Sequence, residues 1–202
     1  LISQWGDTAN NTLKGHDGGS NALYGLTGND VLTGGDGKDL LYGGKGVDTL
    51  TGGMGDDLFD GGDGNDTYYY SKGDGHDTIV DCAYDIGQTN KLILNDYKLS
   101  DLTLHQSGND LILKFADTDA ITIANYYYRM ERWNDQILRE IKFADGQIFG
   151  VQNLINRLGL STDTSNLPVT KTNSHLIGNA DNDYMIGTSN GDLLFGSAGN
   201  DT

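Results

Sequence analysis

At 202 residues with a formal net charge of −16, the chain is too acidic to suit nucleic acid or an anionic membrane surface, and its charge favours cations. A single cysteine, Cys82, excludes an internal disulfide framework. No run of about 18 apolar residues could span a bilayer as a helix, and no segment of the sequence reads as a leader peptide.

The acidic excess is unusual in kind. Of 29 acidic residues, only Glu131 and Glu140 are not Asp. A bias toward Asp wants short carboxylates held close to the backbone, as in turns and metal loops. Thirty Gly against one Pro, Pro168, predicts many turns at positive φ rather than a stiff linker.

In chain order, the first segment carries a weak pattern: Leu13 and Leu23 ten residues apart, with Asn11 and Asn21 just before them. From Gly25 the chain falls into blocks of nine: GLTGNDVLT (25–33), GGDGKDLLY (34–42), GGKGVDTLT (43–51), GGMGDDLFD (52–60) and GGDGNDTYY (61–69). Every block has Asp at position six and a large apolar or aromatic residue at position eight. All but the first have Gly at positions one, two and four; the first has Leu26 at position two. A degenerate copy, GDGHDTI, follows over 73–79.

Residues 80–150 alternate apolar segments (91–94, 102–104, 111–115, 121–123, 141–143) with polar turns, which predicts an antiparallel β unit. Residues 151–159 predict one short amphipathic helix ending near Gly159. A polar linker spans 160–174, and the nonapeptide resumes over 178–202 with Gly lost at position two. The expected domains are a first roll (1–75), a flanking and capping module (76–160), a linker (161–174) and the start of a second roll (175–202). A first residue Leu1 and an end inside a repeat lead us to expect a piece of a larger protein.

The nine-residue beat has a geometric meaning. The Gly-rich half turns sharply, the Asp adds a carboxylate, and position eight points inward from a short strand. Two blocks make an 18-residue coil, and successive coils stack as a parallel roll with a thin apolar core. Asp30, Asp48 and Asp66 then share one edge. Asp39 and Asp57 share the other, extended by Asp77. Strands stack about 4.8 Å apart, so uncompensated carboxylates would repel. Ca²⁺ suits such a site because it accepts six to eight oxygens in flexible geometry, from carboxylates and carbonyls alike. Zinc or copper would want Cys or His, and the four His (16, 76, 105, 175) are scattered.

These blocks resemble the G-G-x-G-x-D-x-U-x nonapeptide of RTX proteins, which Gram-negative bacteria export by type I secretion. Residues 73–150, through GDGHDTI, LILNDYKLSDLTL, SGNDLILKF, ITIANYYY and IKFADG, are similar to the haemolysin-type calcium-binding-related module. That module follows the repeats in RTX cytotoxins, adenylate cyclase toxins and iron-regulated RTX proteins. The resemblance implies a fold that is all-β: a parallel β-roll capped by an antiparallel unit with a short helix, then a second partial roll. It implies several calcium ions held by Asp30, Asp39, Asp48, Asp57, Asp66 and Asp77. The turn glycines Gly28, Gly35, Gly37, Gly44, Gly46, Gly53, Gly55, Gly62 and Gly64 complete the sites through backbone carbonyls. Asp183, Asp192 and Asp201 would serve the second roll. The implied setting is extracellular, secreted or at the bacterial surface, with calcium, the type I secretion machinery and a host cell surface as partners of the parent toxin or adhesin.

Other uses of these residues are weaker. A disordered acidic tract would not keep position eight in registry. Gly34–Asp39 and Gly43–Asp48 lack the Gly-Lys-Ser/Thr ending of a phosphate loop. Tyr68–Tyr70 and Tyr126–Tyr128 could offer a carbohydrate platform but suit packing or capping. His76, Asp77 and His105 have no nucleophile at a recognisable spacing, and neither HExxH nor GxSxG occurs, so no enzyme is expected here. A receptor- or glycan-binding role for residues 80–150 is the alternative function.

Overall fold

The computed structural model describes residues 2–80, 88–115, 118–127, 138–160, 175–177 and 193–195. Its compact units are Leu1–Ser165 and Asn166–Thr202. Of the sequence expectations, Cys82, Tyr128, the linker 161–174 and Asp183, Asp192 and Asp201 lie outside the described residues.

The first unit is a two-sheet roll. Strands β1 (Ile2–Trp5), β3 (Asn21–Thr27), β5 (Leu40–Lys45), β7 (Leu58–Asp63) and β9 (His76–Ile79) stack in parallel in one sheet. Strands β2 (Thr12–Lys14), β4 (Val31–Asp36), β6 (Thr49–Met54) and β8 (Thr67–Tyr70) stack in parallel in the other. Consecutive blocks alternate between sheets, so position eight of every block faces the space between them. One sheet contributes the column Leu23, Leu41, Phe59 and Ile79; the other contributes Leu13, Leu32, Leu50 and Tyr68. Apart from the half-buried Leu13, all are at most 2% exposed. One large side chain per strand is enough because each coil packs only on its neighbours.

The roll does not stop where the nonapeptide stops. Strand β10 (Lys91–Leu94) pairs in parallel with β8, and β14 (Glu140–Lys142) with β10. Strand β13 (Ala120–Ile123) pairs in parallel with β9. The columns therefore continue through Leu92 and Ile141 on one side and Ile123 on the other. The expected antiparallel pairing is present further out, between β11 (Thr103–Ser107) and β12 (Asp110–Lys114), between β12 and β13, and between β14 and β15 (Ile148–Gly150). So the described residues of 80–150 form a mixed unit in which three strands prolong the parallel sheets and the rest extend the same sheets by antiparallel pairing.

Helix α1 (Val151–Leu158) buries Val151 and Leu154 against this end. It stops at Gly159, whose φ of 72° suits a residue without Cβ and whose N–H donates to Ile155 O at 2.9 Å. Arg157 lies 5.4 Å over the Phe149 ring. In the second unit, β16 (His175–Ile177) and β17 (Leu193–Phe195) pair in parallel with an 18-residue offset, the same coil length as in the first roll.

Candidate metal centre

The six position-six carboxylates of the first unit, Asp30, Asp39, Asp48, Asp57, Asp66 and Asp77, are each no more than 2% exposed. Each forms a rung with the coil before it. Asp30 N–H donates to Asp48 Oδ1 at 2.7 Å, Asp48 N–H to Asp66 Oδ1 at 2.8 Å, and Asp66 N–H to Asn90 Oδ1 at 2.7 Å. On the other edge Asp39 N–H donates to Asp57 Oδ1 at 2.8 Å, and Asp57 N–H to Asp77 Oδ1 at 3.0 Å. The edges assigned from the repeat are thus found, with Asp77 extending the second across its insertion. Asn11 and Asn21 begin the two ladders, their N–H groups donating to Asp30 Oδ1 and Asp39 Oδ1 at 2.6 Å.

The main-chain carbonyls of Asp30, Asp39, Asp48, Asp57 and Asp66 accept from the next coil at 2.8–2.9 Å. Oδ2 is the exception. In all six Asp it is buried and has no hydrogen-bond partner. A buried carboxylate oxygen left bare costs free energy unless a proton or a cation meets it.

What surrounds Oδ2 is backbone. A Cβ built on the first Gly of each turn would come within 2.4 Å of Asp30 Oδ2 (Gly25), 2.3 Å of Asp39 Oδ2 (Gly34) and 2.4 Å of Asp48 Oδ2 (Gly43). The same three positions lie 2.4–2.6 Å from the carbonyl oxygens of Gly43, Gly52 and Gly61 in the next coil. Gly52 and Gly61 crowd Asp57 Oδ2 and Asp66 Oδ2 in the same way. These first-position glycines keep the space between carboxylate and carbonyls open. They were visible in the repeat but their role was not. The glycines singled out from the sequence, Gly28, Gly35, Gly37, Gly44, Gly46, Gly53, Gly55, Gly62 and Gly64, all have φ between 87° and 142° and line the same turns.

Burial sets the electrostatics. It pushes Asp48 up to about 6, Asp57 to about 7 and Asp66 to about 7, with neighbouring Asp charges adding to the rise and the ladder N–H opposing it. Asp39 is raised and Asp77 well raised, again chiefly by burial. Asp74 and Asp119 close the turn that precedes Asp77: Ser71 N–H donates to Asp74 Oδ2 at 2.7 Å, Gly73 N–H to Asp119 Oδ2 at 2.9 Å, and Tyr97 Oη also donates to Asp119. Burial pushes Asp74 up to about 6.

Among the described residues, no group of three or more His, Cys, Asp or Glu side chains could hold a metal by itself. Any ion must therefore take most of its ligands from main-chain carbonyls, with one carboxylate oxygen per turn. Such an all-oxygen donor set fits Ca²⁺ and does not fit Zn²⁺ or Cu²⁺.

The profile of the RTX calcium-binding nonapeptide repeat matches residues 17–50, 39–68 and 172–202. That of the haemolysin-type calcium-binding protein related domain matches 110–152. The iron-regulated protein FrpA of Neisseria meningitidis serogroup C is 34% identical to the chain over 100 residues, which is 49% of this chain and 9% of FrpA. The chain thus aligns with less than a tenth of that relative's length.

Proposed function

Since this chain is a calcium-binding module of the RTX type, we propose that it is a folding switch within a longer type I-secreted toxin or adhesin, ordering when it meets extracellular calcium. The observation that carries this is the set of six buried Oδ2 atoms without a partner. When bound, calcium supplies positive charge and six to eight oxygen positions. The residues that would hold it are Asp30, Asp39, Asp48, Asp57, Asp66 and Asp77, with the carbonyls of the glycine turns around them.

The chain's own groups do the rest. The Oδ1 ladder fixes each carboxylate so that Oδ2 faces the turn. The first-position glycines leave room beside it. Without a cation, burial forces several of these carboxyls to hold protons or leave the fold, so a calcium-poor cytosol favours a loose, exportable chain. Extracellular modules bind with dissociation constants near ~10⁻⁴–10⁻³ M. One site at ten times its dissociation constant contributes roughly 1.4 kcal/mol. Four to six coupled sites would then rival the whole stability of a small domain, roughly 5–15 kcal/mol. Strands β10 to β15 cover the end of the roll, where open strand edges would otherwise invite pairing with other chains.

A calcium titration followed by far-UV circular dichroism, with bound ions counted by native mass spectrometry, tests this. A coil-like spectrum in chelator should become β-rich as calcium rises through the millimolar range. Identical spectra with and without chelator would end the proposal.

A further inference from the structure

Not every turn of the roll carries an Asp. At the start of the second ladder, Asn21 takes the position-six place and is only 1% exposed. Its N–H donates to Asp39 Oδ1 like any other rung. Its side chain differs from those of the Asp turns. Oδ1 accepts from His16 N–H at 3.0 Å, while Nδ2 lies 3.1 Å from His16 O, 2.9 Å from Gly19 O and 3.4 Å from Gly34 O. Nδ2 also donates to Asp39 Oδ1 at 2.9 Å.

These carbonyls correspond to those of the Asp turns. A Cβ on Gly37 would meet Gly19 C at 3.0 Å, and one on Gly35 would meet His16 O at 3.6 Å, so Gly19 and His16 lie one coil below Gly37 and Gly35. A Cβ on Gly15 would lie 2.7 Å from Asn21 Nδ2 and 2.1 Å from Gly34 O. A Cβ on Gly34 meets Asp39 Oδ2 and Gly52 O in the same manner. Where an Asp turn has a bare carboxylate oxygen among carbonyls, the Asn21 turn has an N–H donor among them.

We infer that Asn21 closes its turn without a cation, its amide nitrogen satisfying the carbonyls that calcium would otherwise bind, so that β2 and β3 form a calcium-independent end from which the Asp turns propagate. This rests on the calcium reading of the Asp turns and adds to it a selector: Asp at position six takes an ion, Asn replaces one. The other ladder is bounded by amides too. Asn11 Oδ1 accepts from Asp7 N–H at 2.8 Å, and Asn90 Oδ1 accepts the last Asp N–H. Nucleation of repeat stacks is costly, and an end coil that stays folded without metal would lower that cost.

The test compares the full chain with Asn21→Asp and Asn21→Ala. Hydrogen exchange in chelator reads residues 12–24, and native mass spectrometry at saturating calcium counts ions. In the wild type these amides should exchange at least about tenfold more slowly than those of 49–60. Asn21→Asp should lose that protection in chelator, regain it in calcium, and bind one more ion. Asn21→Ala should lose it and gain no ion. The inference is overturned by equal exchange of the two segments in the wild type, by protection surviving Asn21→Ala, or by an unchanged ion count in Asn21→Asp. A misfolded Asn21→Asp in calcium also counts against it. A wild type that binds no calcium would instead sink the calcium reading, with the exchange arm still judging the amide closure.

Discussion

Replacing Gly46 by Ala should be among the most damaging single-methyl changes in the roll. Gly46 has φ of 138°, where a side chain is strained by about 1–3 kcal/mol. The added Cβ would also lie 1.8 Å from Gly28 O and 2.7 Å from Gly28 C in the coil below. Main chain cannot swing aside as a side chain can, so relief must come from parting two coils, at a further ~1–3 kcal/mol. The expected loss is roughly 2–6 kcal/mol. Gly18→Ala is the internal control: its φ is also positive, at 81°, but nothing lies within 4 Å of the new methyl. It should cost only about 1 kcal/mol. Urea unfolding in saturating calcium, followed by circular dichroism, compares the two, and Gly46→Ala should also need more calcium to fold. Equal losses for both variants would refute the stacked-turn geometry.

Asp57→Ala removes the acceptor of the buried Asp39 N–H as well as Oδ2; it should cost ~1–3 kcal/mol and one bound ion, read by thermal unfolding and native mass spectrometry. In chelator, acid should promote folding. Burial lifts Asp48, Asp57 and Asp66 to about 6 to 7 in the folded chain, above the ordinary carboxyl value of 3.8. Their stabilisation is therefore complete below that unfolded value and is lost as pH rises through 6 to 7, worth on the order of a few kcal/mol after solvent screening. Circular dichroism of the chelated chain should gain β signal from pH 7 to 4, and no gain would contradict the buried ladder. Leu26→Gly should stabilise by about 1 kcal/mol, because Leu26 sits at φ of 78° while its side chain stays 39% exposed; a lowered urea midpoint would count against that strain.

The repeat made much of this legible. Position eight announced the columns through Leu32, Leu50 and Tyr68, and position six announced both ladders, because a strict nine-residue period leaves one stacking that buries every large side chain. The continuation through β10, β13 and β14 was hidden. Parallel pairing is made by backbone groups, which any β-forming segment offers, so no glycine or Asp marked it. Asn90 gave no signal for the same reason: one side-chain oxygen suffices to hold the last Asp N–H, and a lone Asn after a break in the period looks like any turn residue. Nor could the sequence tell that one oxygen of each carboxylate is spent on the ladder. That division depends on which way the side chain leans, and only the coil below decides it.

The far end of the first roll continues its two sheets with different strands, since β8 leads into β10 and β9 into β13. This imposes a parity rule on any change in length. Inserting two nonapeptides adds a full coil, about 4.8 Å of height, and returns each sheet to the partner it expects. Inserting one would deliver the final strands to the opposite walls, pairing the cap with the wrong neighbours. Duplication can lengthen such a protein freely in even steps, whereas odd ones would have to be compensated elsewhere.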